Sequence, residues 1–300
     1  MKRFVLTSCF IFLAAISFIS AAEYDKVLTE MNSIVAANAA YAQLMDIGKN
    51  DQGNTIYGLR LENTAVIADA KPNHLVVGAH HGNERLSYNV SIAFAKKIVA
   101  IFKNSGDANY AAISKCVYYV VPVLNIGGFN ANRRTETNRN GNSIDPNRDY
   151  PDVCVQNQYF QLTSISNLAT FVERYNIIGA VTIHGYIGTF TYPWGIYTTN
   201  TKTMDNTFFN YLGTTAVKAN GYRTGTHTDV IYPASGSFED WAYAKYGVWC
   251  MLLELASSPN VDKDAQCLVV YFSLLPADKS QQHQHTGQCT STRTEGDSRP

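Results

Sequence analysis

The chain has 300 residues, of which 46% are hydrophobic and 12% aromatic, enough for one large hydrophobic core. Lysine and arginine total 24, as do aspartate and glutamate, so the formal net charge at pH 7 is zero. A neutral chain has no basic excess to attract nucleic acid, which excludes a nucleic-acid partner and favours small or peptide-like substrates.

The first 22 residues have the pattern of a secretory signal peptide. Lys2 and Arg3 give a basic start, residues 4–19 are mostly apolar but short for a membrane span, and residues 20–22 are small, as at a cleavage site. We therefore predict a mature chain that begins near Glu23 and is secreted or held in the secretory-pathway lumen, a vacuole or a lysosome. No later segment reaches the roughly 18 apolar residues of a membrane helix, so we expect no membrane contact in the mature form.

Residues 23–275 are predicted to form a single catalytic domain, and a polar tail at 276–300 without apolar periodicity is predicted to be disordered. Without the signal peptide the chain keeps an odd number of cysteines, so at least one thiol is unpaired. One or two disulfides are compatible with an oxidising compartment, and their pairing stays open among Cys116, Cys154, Cys250, Cys267 and Cys289.

The first elements are read from the period of the apolar residues. Residues 23–45 have helical spacing, whereas residues 55–61 and 65–68 are predicted to be two strands of a hairpin joined at 62–64. A strand at residues 74–77 is then followed by a helix over residues 84–102.

Three later runs are almost continuously apolar, which is typical of strands buried between helical layers: residues 116–124, 177–183 and 248–255. The predicted fold class is α/β, a three-layer α/β/α sandwich with a mixed, mostly buried central β-sheet. Active sites of such folds collect beyond the carboxyl ends of central strands. His81, His184 and Glu254 each stand at or just past such an end.

His81 and Glu84 are spaced so that both side chains can reach one Zn²⁺ at about 2.0–2.2 Å. The same spacing also arises by chance in polar loops that cap helices. His184, at the end of a buried strand and followed by glycine, is the natural third ligand of a catalytic zinc site. The remaining candidates lack this support and are interpreted as structural or exposed: His74, His80 and His227.

Residues 144–149 concentrate two acids, an amide and a guanidinium, which a surface turn would also explain. We expect Asn147 and Arg148 to form a forked donor set for a carboxylate. Asp145 could accept a hydrogen bond from the far nitrogen of His81 and so fix its tautomer.

Glu254 lies among leucines near the end of the last apolar run. A buried carboxylate must be paired, lie beside a metal or be protonated, because a bare buried charge is costly. Beside a zinc-bound water it would act as general base and pass the proton to the leaving amine.

This combination resembles the carboxypeptidase A-type zinc metallocarboxypeptidases, the funnelins, over nearly all of residues 24–275. The resemblance rests on motifs in the family's order: His81 with Glu84, Asn147 with Arg148, His184-Gly185-Tyr186, Tyr192-Pro193-Trp194-Gly195, Tyr232 in Ile-Tyr-x-Ala-Ser-Gly, and Glu254.

The resemblance implies one zinc ion held by His81, Glu84 and His184, with Glu254 as general base. It also implies that Asn147, Arg148 and Tyr232 clamp the terminal carboxylate of a peptide or protein substrate. The implied enzyme is an exopeptidase that hydrolyses the C-terminal peptide bond with a zinc-activated water. We expect it to be a monomer, and the signal peptide predicts that it is secreted.

Two assignments that the resemblance implies remain open. The family's oxyanion arginine has three candidates, of which Arg139 is preferred, Arg134 is second and Arg133 is third. Glu239, in the specificity position before Asp240, would favour a C-terminal Lys or Arg, although a shift of one residue would place Phe238 there and favour apolar residues.

Three other functions are considered. Residues 81–84, His-Gly-Asn-Glu, also resemble zinc acylases that hydrolyse N-acyl amino acids, and a bacterial cell-wall peptide is an alternative carboxypeptidase substrate. A catalytically inactive module that binds C-terminal peptides is disfavoured, because all three candidate ligands and Glu254 are present.

Overall fold

The computed structural model describes residues 22–68, 70–152, 160–197, 199 and 201–278. The predicted signal peptide, apart from Ala22, and the predicted tail beyond residue 278 lie outside these residues, as do Cys154 and Cys289. The domain boundaries at residues 23 and 275 stay predictions.

The described residues form both helices and strands. The helices are α1 (Glu23–Ala37), α2 (Leu86–Phe102), α3 (Tyr110–Ile113), α4 (Ile126–Ala131), α5 (Thr163–Arg174), α6 (Asn206–Ala216), α7 (His227–Val230), α8 (Phe238–Tyr246) and α9 (Val261–Ser273), with a 3-10 turn at Pro146–Arg148. The strands are β1 (Ala42–Lys49), β2 (Thr55–Glu62), β3 (Asn73–Gly78), β4 (Val117–Val121), β5 (Glu136–Thr137), β6 (Ser143–Ile144), β7 (Ile177–Gly185), β8 (Thr189–Tyr192), β9 (Arg223–Thr226) and β10 (Trp249–Leu255).

Eight strands form one mixed sheet in the order β1-β2-β4-β3-β7-β10-β8-β9. The central strands β4, β3, β7 and β10 are parallel to one another in this series. The pairs β1–β2, β2–β4 and β10–β8 are antiparallel, and the pair β8–β9 is parallel. The carboxyl ends of β3, β7 and β10 therefore meet at one edge, which is where such sheets bind ligands.

Helices cover both faces of the sheet, as predicted for a three-layer α/β fold. On one face, Tyr118 of β4 contacts Phe94 of α2 and Phe272 of α9. On the other face, the adjacent Tyr119 contacts Phe171 of α5. Successive strand residues point to opposite faces, so a strand buried on both sides needs an apolar residue at nearly every position.

The structure corrects two predictions at the start of the chain. The first helix ends at Ala37 rather than at residue 45, and the rest of that segment enters β1. The hairpin is formed by β1 and β2, not by residues 55–61 and 65–68. Ile67 is 93% exposed outside any strand, because β2 already has β1 and β4 as neighbours.

The described cysteines Cys116, Cys250 and Cys267 are buried free thiols, so no disulfide joins any two of them. Buried thiols of this kind behave as small hydrophobic groups. In the part of the chain that the structure covers, no helix is long and apolar enough to cross a membrane.

Candidate active site

Three of the sequence-predicted side chains meet at the carboxyl ends of β3, β7 and β10. His184 lies near the end of β7, and Glu254 is its register partner on the parallel strand β10. His81 follows the last residue of β3 by three positions. Because paired residues in adjacent strands point to the same face, His184 and Glu254 leave the sheet side by side.

The turn after β3 holds His81 and Glu84 in place by close backbone packing. Ala79 has a φ of 47°, in the left-handed region that is costly for residues other than glycine, so the chain turns sharply there. A Cβ on Gly82 would lie 2.0 Å from the carbonyl carbon of Gly128. Glycine is therefore required at position 82 for this turn to rest on α4.

Two imidazoles and a carboxylate converge on one point. His81 Nδ1 lies 2.8 Å from Glu84 Oε1, and His184 Nδ1 lies 3.0 Å from Glu84 Oε2. The two Nδ1 atoms are themselves only 3.1 Å apart. These three side chains form a potential metal site, and all three are buried.

The donor set fits zinc by its chemistry. Two ring nitrogens that face each other need a proton or a cation between them, and a carboxylate beside them favours a cation. Zn²⁺ in catalytic sites commonly takes two histidines and one carboxylate and leaves one position open. Burial alone would raise the pKa of Glu84, but His184 and His81 together outweigh burial and lower the pKa to about 2, so the carboxylate is ionised and able to bind a cation.

Asp145 contacts the far nitrogen of His81. Its Oδ1 lies 3.0 Å from His81 Nε2, and its Oδ2 accepts a hydrogen bond of 2.9 Å from Arg134 Nε. Burial opposes the charge on Asp145, but the hydrogen bond with His81 and the charge of Arg134 hold the pKa of this carboxyl well below its usual value. An ionised Asp145 favours the tautomer of His81 that leaves Nδ1 free for a metal.

Asn147 and Arg148 extend from the 3-10 turn into the same pocket. Asn147 Oδ1 accepts a hydrogen bond of 2.9 Å from the backbone N–H of Phe238, and its Nδ2 lies 3.5 Å from His184 Nε2. The Arg148 guanidinium donates a hydrogen bond of 2.6 Å to the carbonyl oxygen of Asn147 and lines the pocket. Tyr232 also lines it and is 46% exposed.

Glu254 is a buried carboxylate whose Oε2 has no hydrogen-bond partner among the described residues. Burial is the main reason that the pKa of Glu254 is raised above its ordinary value. A buried acid that lies beside a candidate metal site and lacks a hydrogen-bond partner is a candidate for proton transfer.

Arg134, rather than Arg139, lies beside the candidate metal site, which is formed by the other three side chains described above. Arg134 lines the pocket, and its Nη1 is 3.7 Å from Glu84 Oε1. Arg139 and Arg133 line a separate surface cavity next to Asp51 and Gln52. The sequence favours Arg139 as the oxyanion arginine, but Arg139 lies in the loop between β5 and β6 and lines the other cavity, so the geometry favours Arg134 for a role beside the candidate metal site.

Glu239 and His227 occupy positions relative to the pocket that differ from those expected from the sequence. Glu239 is 5% exposed and accepts a hydrogen bond from Thr182 Oγ1. It is not among the residues that line the pocket at the candidate metal site. His227, which was interpreted as structural or exposed, lines that pocket. No motif in the sequence surrounds His227, and the packing of α7 against β8 brings it to the pocket.

A buried site of two histidines and one carboxylate at the carboxyl ends of parallel strands, with an unpaired glutamate beside it, defines a mononuclear zinc hydrolase. The profile of the zinc carboxypeptidase family matches residues 27–285, and the chain belongs to that family. Membership indicates a metallocarboxypeptidase, a hydrolase, with zinc as its cofactor.

Individual relatives agree with this family. Carboxypeptidase B of Astacus astacus is 25% identical over 79% of this chain and 87% of its own length. Carboxypeptidase SOL1 of Arabidopsis thaliana is 23% identical over 72% of this chain but 46% of its own length, so the chain spans about half of that relative.

Solved structures share the fold. Thrombin activatable fibrinolysis inhibitor aligns with a TM-score of 0.72 at 15% identity, over 83% of this chain and 73% of that chain. Carboxypeptidase A from Helicoverpa armigera aligns with a TM-score of 0.67 at 16% identity, over 83% and 70% of the two chains.

Proposed function

We propose that this protein is a secreted zinc carboxypeptidase that removes the C-terminal residue of peptides or proteins. The observation that carries the proposal is the convergence of His81, Glu84 and His184 beside the unpartnered Glu254, with Arg148 in the same pocket. Zinc bound there supplies a water of lowered pKa and polarises the scissile carbonyl.

The chain's own residues then divide the work. Glu254 accepts the proton of the attacking water at Oε2, the carboxylate oxygen without a partner, and returns it to the leaving amine. Arg134 offers its guanidinium to the negative charge that develops on the carbonyl oxygen, in place of Arg139. Asp145 holds His81 in the metal-binding tautomer.

Arg148 and Tyr232 bind the terminal carboxylate of the substrate at the other side of the pocket. An arginine fork suits a carboxylate because two parallel N–H donors match its two oxygens. Asn147 contributes by positioning as well as binding, since its amide lies between His184 and the backbone of α8. Fixing the free carboxylate places the last peptide bond near the metal, which makes the enzyme an exopeptidase.

Glu239 is proposed to select a basic C-terminal residue. Its buried carboxylate forms no ion pair with another described residue and accepts a hydrogen bond from the hydroxyl of Thr182. A lysine or arginine side chain that reached this carboxylate would neutralise it.

The proposal is tested with a panel of blocked dipeptides that differ only in the last residue, with and without a chelator. We expect release of the free C-terminal amino acid that stops with the chelator and returns with zinc, and no cleavage of the same peptides with an amidated C-terminus. Hydrolysis of N-acyl amino acids but not of dipeptides would instead show an acylase, and a preference for cell-wall stem peptides would narrow the substrate.

Glu254→Gln separates catalysis from binding. The variant should lose about 10²–10⁴-fold in kcat and keep its zinc, because the amide cannot accept the proton. Turnover that survives this change would show that another residue is the base.

Secretion and oligomeric state are separate parts of the proposal. The pattern of residues 1–22 supports export with cleavage near Glu23, where α1 begins. Mass determination of the protein recovered from the medium would give the first residue, and sedimentation would show whether the protein is a monomer.

A further inference from the structure

The cavity that Arg133 and Arg139 line has no part in the proposed catalytic pocket. Its volume is about 540 Å³, and its lining shares no residue with the lining of the pocket at the candidate metal site. The β1–β2 turn, α4 and the β5–β6 hairpin supply its walls. Gln52 of the turn donates a hydrogen bond to the carbonyl oxygen of Thr137 in β5 and so joins two of these walls. Small-molecule sites commonly measure about 300–1,000 Å³, so this cavity is large enough for a ligand.

The lining contains two cationic side chains that have no counter-ion among the described residues. In the described ranges, the arginines that form ion pairs are Arg60 and Arg134. Arg133 and Arg139 are exposed, and neither forms an ion pair or a side-chain hydrogen bond with a described residue. Their guanidinium groups are therefore available to an anion that enters the cavity.

The acid in the same lining, Asp51, is already engaged. Its Oδ2 accepts a hydrogen bond of 2.9 Å from the backbone N–H of Thr163, and its Oδ1 accepts one of 2.6 Å from the hydroxyl of Thr163. Asp51 thus stabilises the start of α5 and does not pair with either arginine. Two arginines and one aspartate leave the lining with one more positive than negative charge, which favours an anionic ligand.

The backbone holds both arginines in place. The N–H of Arg133 donates a hydrogen bond of 2.8 Å to a carbonyl oxygen of α4. Arg139 lies in a loop that is closed by the buried Asn138, whose Oδ1 accepts hydrogen bonds of 3.0 Å from the N–H groups of Asn140 and Asn142. A ligand therefore has only side-chain rotamers to order, which lowers the entropic cost of binding.

The chemistry of the arginine pair selects an oxoanion. Arginine stays charged at all physiological pH values, and its parallel N–H donors match the oxygens of phosphate and sulfate. Since one water occupies about 30 Å³, a four-oxygen anion would fill only part of the cavity. A Cβ on Gly141 would meet no atom within 4 Å, so one wall leaves further space. That space suits an organic group attached to the oxoanion.

We propose that this cavity binds a small ester of phosphate or sulfate. The oxoanion lies between the guanidinium groups of Arg133 and Arg139, and the organic group occupies the remaining volume. The site is separate from the metal pocket, so the inference goes beyond the proposed carboxypeptidase function and does not depend on it.

The test titrates the zinc-loaded protein with phenyl phosphate and with phenyl sulfate and follows the phenyl proton signals by NMR. We expect a Kd of about 1 mM or below at low ionic strength for at least one ester, and weaker binding as salt rises. The ester that binds more tightly identifies the oxoanion. Arg133→Ala and Arg139→Ala should each weaken binding about tenfold. The corresponding lysine variants should lose less, because lysine keeps the charge but not the fork.

Arg148→Ala is the matched control, since it removes an arginine from the metal pocket instead. It should leave the affinity of this cavity at the wild-type value. Loss of ester binding in Arg148→Ala, with wild-type binding in Arg133→Ala and Arg139→Ala, would assign the anion to the metal pocket and refute the inference. The inference also fails if wild type binds neither ester. All of these measurements are made without hydrolysis, so their outcome is distinguishable from a failure of the proposed carboxypeptidase function.

Discussion

Glu254 and His184 are register partners on the parallel strands β10 and β7, and their side chains leave the same face of the sheet. The backbone hydrogen bonds of the sheet therefore set the spacing between the proposed base and a proposed metal ligand. Sites built on strands are held more firmly than sites built on loops. The other two candidate ligands depend on a turn, which is stabilised by the contact between Gly82 and α4.

Arg134→Ala should lower kcat by about 10²–10³-fold, because the developing oxyanion loses its charged donor. Arg139→Ala is the matched control and should leave kcat unchanged, since Arg139 lines a different cavity. Steady-state kinetics with zinc content measured on the same samples would check both. The reverse ranking of the two variants would restore Arg139 as the oxyanion arginine.

Asp145→Asn should weaken zinc binding by about 10–100-fold. The amide keeps the size of the side chain but loses the negative charge that favours a metal-binding His81, whose Nε2 lies 3.0 Å away. Competition with a chromogenic chelator would measure the change, and Glu254→Gln should bind zinc like wild type. Equal zinc affinities for Asp145→Asn and wild type would contradict this role.

Gly82→Ala should destabilise the fold by about 1–3 kcal/mol and reduce zinc occupancy, because the new Cβ must displace the backbone of α4. Gly106→Ala is a matched control, since its Cβ would come no closer than 3.4 Å to Asn104 Oδ1. Denaturant unfolding of the zinc-free proteins would give the stability difference. If both variants unfold at the same denaturant concentration, the close approach at Gly82 is not a constraint.

Glu136→Gln should remove a dependence of stability on pH. Glu136 is 1% exposed, and burial raises its pKa from 4.5 to about 7 despite hydrogen bonds from Ser164 and Asn50. The folded state thus holds a proton that the unfolded chain releases near pH 4.5, so the free energy of unfolding falls as pH rises from about 4.5 through about 7.

The full loss corresponds to about 3 kcal/mol above pH 7. Urea unfolding at pH 5 and pH 8 should show wild type losing more stability than Glu136→Gln over this interval. A parallel pH dependence of the two proteins would mean that Glu136 is ionised without cost.

Much of the fold was predictable from the sequence because buried parallel strands leave a strong signal. The apolar runs that became β3, β4, β7 and β10 need no long-range information to be recognised. The first helix was extended too far, because residues 42–49 carry no period that separates an antiparallel strand from a helix. Pairing with β2 decided that segment.

The group of candidate metal ligands was also predictable, since His184 stands near the end of a buried strand and Glu84 follows His81 at a spacing that lets both reach one metal. Glu254 stands near the end of the last apolar run. The choice of Arg134 as the proposed oxyanion arginine was not predictable. The three candidates are chemically identical: Arg133, Arg134 and Arg139. Only the path of the chain around the β5–β6 hairpin places Arg134 beside the candidate metal site.

By itself, the sequence determined the class of fold, the set of candidate ligands and the resemblance to zinc carboxypeptidases, because these depend on residue type and on spacing along the chain. The tertiary structure decided that Arg134 rather than Arg139 lies beside the candidate metal site, and that His227 lines its pocket whereas Glu239 bonds to Thr182 outside the lining. Those relationships join residues far apart in the chain through strand register and helix packing, neither of which is encoded in local spacing.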